Sequence, residues 1–95
     1  MVDTATSMYY VYFLKLVNGQ TYTGATQDLN RRYKEHSDGK VFYTKQHLPA
    51  VLIGYEAYLH KSDSFRREHY LKSSAGKKLF RQQYRDVLKS DQEVA

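Results

Sequence analysis

A carboxylate placed among apolar residues is the first feature of this sequence that could have a chemical role. Projecting the predicted helix around it at about 100° per residue puts Glu68 between Phe65 and Leu71, the residues expected to face the sheet. Burying an ionised carboxylate is costly unless a cation or several hydrogen-bond donors compensate its charge. Two interpretations stay open from this helix alone: Glu68 is a ligand, or it forms a structural ion pair with Lys72 one turn later.

An arginine and a histidine form a second polar group on an earlier predicted helix. Leu29, Tyr33 and His36 share one helical face, and Arg32 lies beside that face, one turn before His36. This pair suits a phosphate, because guanidinium binds oxygens in a bidentate manner and imidazole donates or transfers a proton. The alternative is that Arg31 and Arg32 are solvated, and that His36 is a half-buried histidine with its hydrogen bonds satisfied.

Two tyrosines, Tyr12 and Tyr22, fall on the strands that Asn18-Gly19 is expected to join as a hairpin. With those two residues as the turn, Tyr12 is expected close to a position opposite Tyr22 or Thr23. From the residues alone, the two phenols are interpreted as a cross-strand packing pair.

Basic residues recur along the last predicted helix. Lys77, Arg81 and Arg85 are spaced four residues apart, and Lys78 lies beside them. A stripe of this kind can follow a phosphate backbone, although exposed basic stripes are also common on terminal helices.

These residues depend on a predicted element order of ββαβαα, a small, mainly antiparallel sheet carrying helices in the α+β class. Strands are expected at residues 9–17, 20–23 and 50–58, the last being the most buried. Helices are expected at residues 28–38, with Asp28 as N-cap and Gly39 as the stop, and at about 64–73, with Ser62 or Asp63 as N-cap. A break at Gly76 precedes a third helix expected at about 77–88. We expect one domain over residues 9–89, with flexible termini at 1–8 and 90–95.

The composition favours a polyanionic partner, because 15 Lys and Arg against 10 Asp and Glu give a net charge of +5. The absence of cysteine excludes disulfides and thiolate zinc sites. No apolar run reaches the roughly 18 residues of a membrane helix, and the N-terminus lacks signal-peptide features, so we expect a cytoplasmic protein with no membrane partner. Zinc-protease, Walker and nucleophile-elbow motifs are also absent. A lone carboxylate acting with substrate phosphate oxygens therefore indicates Mg²⁺ or Mn²⁺ as the metal.

Six segments, in order and with matching spacing, resemble the GIY-YIG nuclease superfamily, in particular its short, free-standing bacterial members of the UPF0213 type. The resemblance runs from about residue 9 to residue 81. The segments are Tyr10-Val11-Tyr12, Tyr22-Thr23-Gly24, residues 28–36, Tyr43-Thr44-Lys45, Tyr55-Glu56-Ala57-Tyr58 and residues 66–73. The resemblance implies a three-stranded antiparallel sheet flanked by helices.

The resemblance also implies that the polar residues described above form one site. Tyr12 and Tyr22 match the tyrosines of the two name-giving motifs. Arg32 matches the arginine that contacts the scissile phosphate, and His36 matches the position one helical turn later, where family members carry His or Tyr. Glu68 matches the acidic residue that binds the metal. The implied reaction is hydrolysis of a phosphodiester by water, with one metal ion stabilising the pentavalent charge and the leaving oxygen.

We therefore expect a metal-dependent endonuclease that acts on DNA, including branched, damaged or single-stranded forms, with RNA left open as a substrate. Sequence specificity should be low, because no further DNA-binding domain is present. Tyr12 is expected to activate water while Tyr22 orients the water or the phosphate, the reverse assignment being open. The residues expected to bind nucleic acid are Arg31, Arg32, Lys45, Lys72, Lys77, Lys78 and Arg81. The alternatives are a non-catalytic nucleic-acid-binding module that retains the fold, and a protein-interaction domain.

The chain departs from the family pattern at three places. Tyr10 and Val11 stand where the first motif has Gly and Ile, and Thr23 stands for Ile in the second motif. Many nucleases of the superfamily carry an Asn after the metal-binding Glu, whereas this chain has no Asn beyond Asn30. The candidates to replace that Asn are Lys72, Ser73 and Ser74.

Overall fold

The computed structural model describes residues 7–89 and contains a three-stranded antiparallel sheet in the order β2-β1-β3. The elements in chain order are β1 Tyr9–Lys15, β2 Thr21–Thr26, α1 Leu29–Ser37, β3 Val51–Tyr58, α2 Lys61–Leu71, α3 Ser74–Gln83 and α4 Arg85–Lys89. The predicted α+β class and antiparallel sheet are confirmed. Of the expected flexible termini, residues 1–6 and 90–95 lie outside the described residues. None of the helices in the described part of the chain is long and apolar enough to cross a membrane.

The central strand β1 is buried on both faces. Because successive side chains alternate across a strand, Val11 and Phe13 pack with Leu71 and Phe80 from the α2–α3 side. Tyr12 and Leu14 point to the other face. There they pack with Leu16 and Ala50, and with half-buried side chains of α1 and the following loop. The Tyr12 phenol is therefore placed inside the protein, in the layer that α1 covers.

The expectation that the third strand is the most buried is wrong. β3 lies at an edge of the sheet, and its residues are half-buried or exposed. By contrast, residues 11–15 of β1 and the residue that follows the strand, Leu16, are all buried. Successive side chains alternate between the two faces of β3, and the alternate residues Tyr55 and Ala57 are exposed to solvent. The apolar run that suggested full burial packs one face against the core through residues such as Ile53.

The hairpin forms at the predicted place, but its register differs from the prediction. The amide of Leu16 donates to the Gln20 carbonyl at 2.8 Å, so three residues, 17–19, form the connection, and only Gly19 takes a positive φ, of 88°. Tyr12 consequently pairs with Gly24 and not with Tyr22 or Thr23. Tyr22 is two residues from Gly24, so both tyrosines still lie on the same face of the sheet.

The first helix follows its local signals. Asp28 is the N-cap and accepts a hydrogen bond from the Arg31 amide at 3.1 Å, and the chain leaves the helix through Gly39 at φ 75°. Both predictions for this helix are confirmed. α1 is thus fixed at both ends, which orients Arg32 and His36 on its inner side.

The last two predicted helices have different bounds from those expected. α2 begins at Lys61, with His60 as an N-cap that makes no side-chain hydrogen bond, so the prediction of Ser62 or Asp63 as N-cap is wrong. Ser73 caps the next helix by accepting from the Gly76 amide at 3.1 Å, which places Gly76 inside α3 and not at a break. The single helix expected over residues 77–88 is two helices, because α3 ends with Tyr84 as its C-cap.

Candidate active site

The Tyr12 hydroxyl lies at the centre of the candidate site. Tyr12 is only 1% exposed, and its hydroxyl oxygen is 2.8 Å from His36 Nε2. Gly24 makes room for it, since a Cβ at that position would overlap the phenol oxygen and the ring. Burial raises the pKa of Tyr12 to about 12, although a hydrogen bond and the charge of Arg32 act in the opposite direction. Tyr12 is therefore a neutral phenol at neutral pH.

His36 is fully buried and has a partner at each ring nitrogen. Its Nδ1 atom lies 2.8 Å from Thr44 Oγ1, and Thr44 is also fully buried. Burial, followed by the nearby charge of Arg32, lowers the pKa of His36, so the imidazole is neutral at neutral pH. A neutral imidazole donates from one nitrogen and accepts at the other. The two hydrogen bonds that join Thr44, His36 and Tyr12 can therefore be donated in either direction along the series, depending on which imidazole nitrogen carries the proton.

Thr44 is a residue that the sequence motifs contained without a role assigned to it. It lies in the loop between α1 and β3, where the sequence shows no periodicity that would predict its neighbours. The only signal available was its place in the Tyr43-Thr44-Lys45 segment. Its contact with His36 is tertiary, joining side chains eight residues apart.

Tyr22 completes an aromatic group with Tyr12 and His36. The Tyr22 ring centre lies 6.3 Å from that of Tyr12 and 5.1 Å from that of His36. Tyr22 is half-buried, unlike the other two residues, and it lines an open cleft on the β2 side of the sheet. The packing interpretation of the two tyrosines is therefore correct as geometry, and Tyr22 is also the member of the group that contacts solvent.

Arg32 is held at the rim of this aromatic group by Glu35. Its NH1 atom donates to Glu35 Oε1 at 2.9 Å, while Arg31 donates to the other carboxylate oxygen. The hydrogen bond to Glu35 is the main reason that the pKa of Arg32 is raised, with Tyr12 contributing in the same direction. About a third of the Arg32 side chain stays exposed, at 34%, against 62% for Arg31. The structure thus brings Arg32, but not Arg31, to the Tyr12–His36 pair.

Glu68 is paired and mostly shielded from solvent. Its Oε2 atom accepts from Lys72 Nζ at 2.9 Å, and its side chain is 15% exposed, against 52% for Lys72. The charge of Glu68 contributes to the raised pKa of Tyr12, so the carboxylate and the phenol are close enough to interact. The ion pair that the sequence offered as one interpretation is present, and the carboxylate also belongs to the surroundings of Tyr12.

The position of α2 on the sheet differs from the helical projection. Phe65, expected to face the sheet, is 54% exposed and stacks on His69 with ring centres 4.3 Å apart. The buried residues of α2 are Ser64 and Leu71. Ser64 is a small polar residue, which a hydrophobicity-based projection does not select as buried. Glu68 follows Ser64 by four residues, so it remains on the inner side of α2 although the reason first given for its burial is wrong.

A metal ion at this site would take few ligands from the protein. No group of three or more His, Asp or Glu side chains within residues 7–89 is arranged to hold one. Glu68 offers one hard carboxylate oxygen, which fits Mg²⁺ or Mn²⁺ when water and substrate phosphate oxygens fill the other positions. Among the suggested replacements for the missing Asn, Ser73 caps α3 and Lys72 pairs with Glu68. The residues therefore fit an ion shared with substrate and not an all-protein metal cage.

The predicted nucleic-acid-binding residues fall in four places. Lys72, Lys77 and Arg81 line the cleft of about 690 Å³ to which Tyr22 also contributes. Arg31 and Arg32 meet at Glu35 on α1. Lys45 lies over the ring of Phe42 at 5.4 Å, and Lys78 is exposed on α3 outside the cleft lining.

A second carboxylate, Glu56, is occupied by structural partners. Arg67 donates to both of its oxygens, at 3.0 and 3.2 Å, and the Tyr58 hydroxyl donates to it at 2.6 Å. Burial and this carboxylate raise the pKa of Tyr58 to about 12. The group joins β3 to α2 on the face opposite Tyr12, since Glu56 pairs with Val11 in the sheet. Sequence motifs included Glu56 without revealing this link.

The domain that carries the Tyr12–His36 pair and the α2 carboxylate belongs to a nuclease-type family. Residues 8–84 match the GIY-YIG catalytic domain, and the chain belongs to that family. It is similar to the UPF0213 protein of Staphylococcus epidermidis, at 38% identity over 66 residues that cover 68% of this chain and 80% of the relative. It is 35% identical over 74 residues to a UPF0213 protein of Staphylococcus aureus, covering 77% and 90% of the two chains.

A solved structure is similar as well. The solution NMR structure of the UPF0213 protein BH0048 from Bacillus halodurans superposes with a TM-score of 0.50 at 36% identity, covering 77% of this chain and 81% of that one. The predicted resemblance to small free-standing bacterial members of the family is confirmed.

Proposed function

We propose that this chain is a divalent-metal-dependent endonuclease that hydrolyses phosphodiester bonds of DNA with low sequence specificity. One observation carries the proposal: the imidazole of His36 and the charges of Arg32 and Glu68 all act on the buried Tyr12 hydroxyl. Hydrolysis of a phosphodiester requires a group that takes a proton from water, a cation for the phosphate and a ligand for the metal. These three kinds of group lie together here.

In this proposal Tyr12 passes a proton on and is not a free phenolate. At a pKa of about 12, only about one molecule in 100,000 carries an ionised Tyr12 at pH 7. As the attacking water gives a proton to the Tyr12 oxygen, the Tyr12 hydroxyl proton moves to His36 Nε2. Thr44 fixes the imidazole by accepting from Nδ1–H. Tyr22, at the solvent side of the group, orients the water or the phosphate.

Arg32 is suited to bind the scissile phosphate because Glu35 orients its guanidinium and part of its side chain stays exposed. A phosphate bound there would neutralise Arg32, which relieves the charge that disfavours protonation of His36. Substrate binding would thereby make His36 a better proton acceptor at the moment it is needed.

Glu68 is the residue that would hold Mg²⁺ or Mn²⁺, and such an ion supplies stabilisation of the pentavalent phosphorus and the leaving oxygen. Lys72 is half exposed and can leave Glu68 for a phosphate. Together with Lys77 and Arg81 in the cleft, it would bind flanking phosphates. Phosphate contacts carry no sequence information, so cleavage should be nearly independent of sequence.

The test is nicking of supercoiled plasmid and of circular single-stranded DNA by the wild type, Glu68→Gln and Asp63→Asn. Asp63→Asn is the matched control, because it removes a carboxylate from the same helix that contacts only Arg66 among the described ion pairs. We expect cleavage with Mg²⁺ or Mn²⁺, none with chelator, and a loss of about three orders of magnitude for Glu68→Gln alone. Salt-sensitive DNA binding by a wild type that cuts neither substrate would overturn the proposal in favour of the non-catalytic binding module.

A further inference from the structure

Two aromatic side chains beside the site face solvent. Phe42 and Tyr43 are each 73% exposed, the largest exposures of bulky apolar residues in the described chain. Their rings are nearly perpendicular, at 85°, with centres 5.4 Å apart. Apolar surface of this kind is unfavourable in water, and contiguous exposed patches mark binding sites. Neither ring contributes to the two buried core clusters, so the fold itself does not require them.

The loop that carries these rings is anchored on both sides of them. Val41 is 7% exposed and Thr44 is fully buried, so the chain enters and leaves the aromatic pair through buried residues. The amide of Lys45 donates to the Val41 carbonyl at 3.0 Å, and that of His47 to Thr44 at 2.9 Å. A further bond from the Val17 amide to the His47 carbonyl, at 3.0 Å, ties the loop to the hairpin. Rings on a preorganised backbone lose less entropy when they bind a ligand.

The chemistry of the loop fits nucleic acid. Lys45 Nζ lies 5.4 Å from the centre of the Phe42 ring, which places a cation beside the two aromatic faces. Cations next to exposed aromatic rings are the combination by which proteins hold single strands, binding the backbone and stacking the bases. The loop is also joined to the candidate site, because Thr44, next to Tyr43, contacts His36.

We propose that Phe42 and Tyr43 form a stacking platform for unpaired bases of the strand whose phosphate occupies the site, with Lys45 moving from the Phe42 ring to the strand's backbone. The inference rests on the proposed function for the identity of the strand as DNA, and it names the substrate class as DNA with unpaired nucleotides. Bases inside a duplex stack on their neighbours on both sides and present no free face to these rings. Single strands, flaps and bubbles therefore bind the platform, whereas continuous duplex does not.

The test is equilibrium binding with chelator present, so that no cleavage is needed for a result. The probes are a labelled single strand of roughly 15 nucleotides and a blunt-ended duplex of similar length made from two fully complementary strands. The proteins are the wild type, the double variant Phe42→Ala/Tyr43→Ala, and the ring-conserving double variant Phe42→Tyr/Tyr43→Phe. Phe65→Ala is the matched control, since it removes an exposed ring from α2, away from the loop.

We expect the alanine double variant to lose about ten-fold or more in affinity for the single strand and less than about two-fold for the duplex. The ring-conserving variant and Phe65→Ala should bind as the wild type does. An equal loss on both probes, or no loss on either, would overturn the platform and indicate that the rings face another kind of partner. Because the replaced side chains are exposed, thermal unfolding of all variants should match the wild type.

Cleavage on the same preparations separates the two proposals. A wild type that binds the single strand through the rings but cuts no DNA leaves the platform standing and removes the endonuclease proposal. If the wild type cuts with metal, and the alanine variant retains full kcat/KM on single-stranded DNA and full affinity for it, the endonuclease proposal holds and the platform proposal is wrong.

Discussion

At the scale of single residues, the proposed hydrolysis depends on which protonation state of Tyr12 takes the proton from water. A free phenolate as base predicts a rate that rises about ten-fold per pH unit toward the Tyr12 pKa of about 12. Transfer through a neutral phenol to His36 predicts a plateau from neutral pH upward. It also predicts an acid limb, because the pKa of His36 is lowered and the neutral imidazole is lost only when the pH falls below the ordinary histidine value.

We expect the plateau with the acid limb. Single-turnover nicking rates across roughly pH 5 to 9 measure it for the wild type and for Tyr12→Phe. Tyr12→Phe keeps the ring over Gly24 but removes the hydroxyl, so the rate should fall at least about 100-fold at every pH. A wild-type rate that climbs steadily through pH 9 would exclude the His36 route. Normal cutting by Tyr12→Phe together with loss in Tyr22→Phe would exchange the roles of the two tyrosines.

At the scale of elements, the loop between α1 and β3 supports the site through one side chain. Thr44→Val keeps the shape but removes the hydroxyl that His36 Nδ1 contacts, leaving a fully buried polar atom without its partner. We expect the free energy of unfolding to fall by about 1–3 kcal/mol, as measured by urea denaturation.

The matched control for Thr44→Val is Thr23→Val, which alters a half-buried threonine of β2. In the proposed relay, Thr44→Val should also slow nicking by the folded protein, because the imidazole loses its fixed orientation. Unchanged stability and an unchanged nicking rate would mean that the Thr44 contact has no part in holding His36.

The elements also show how far the sequence alone leads. α1 was predictable at both ends because Asp28 and Gly39 act within one turn of the chain. The rotation of α2 was not predictable, because one of its two buried residues is Ser64, a polar residue that no hydrophobic pattern selects. The partner expected for Tyr12 was wrong by counting along the hairpin, because a two-residue turn at 18–19 would pair Tyr12 with Ala25, and the three-residue connection pairs it with Gly24. The contact between Thr44 and His36 was not predictable either, because it depends on the tertiary packing of an irregular loop for which the sequence carries no periodic signal.

Family resemblance and residue chemistry together selected Tyr12, Tyr22, Arg32, His36 and Glu68, and all five lie near one another in the structure. The excess of basic residues could be read from the sequence, but the surface on which they gather could not. The four-residue spacing on the last helix suggested one stripe, yet the chain ends α3 before Arg85, and the cleft is completed by Lys72 from the end of α2. A helical spacing describes one element, whereas a binding surface is made by several.

At the scale of the whole molecule, the net charge of +5 and the three cations of the cleft predict binding that depends strongly on salt. Duplex affinity should fall steeply between about 50 and 200 mM salt, with a logarithmic slope of about 0.9 for each phosphate contacted. The double variant Lys77→Gln/Arg81→Gln should reduce that slope by about two.

The comparator for this measurement is Lys78→Gln, on the same helix but outside the cleft lining, for which we expect a smaller change in slope. Fluorescence anisotropy titrations with chelator, repeated at several salt concentrations, provide the slopes. Identical slopes for all variants would show that the duplex lies elsewhere on the molecule.

The overlap that a side chain at Gly24 would make with Tyr12 has an evolutionary consequence. Replacing the glycine alone displaces the phenol from His36, and replacing the tyrosine alone with a small residue leaves a void above the glycine. We therefore expect the two positions to change together among relatives, because a side chain at position 24 fits only where position 12 carries a smaller residue than tyrosine.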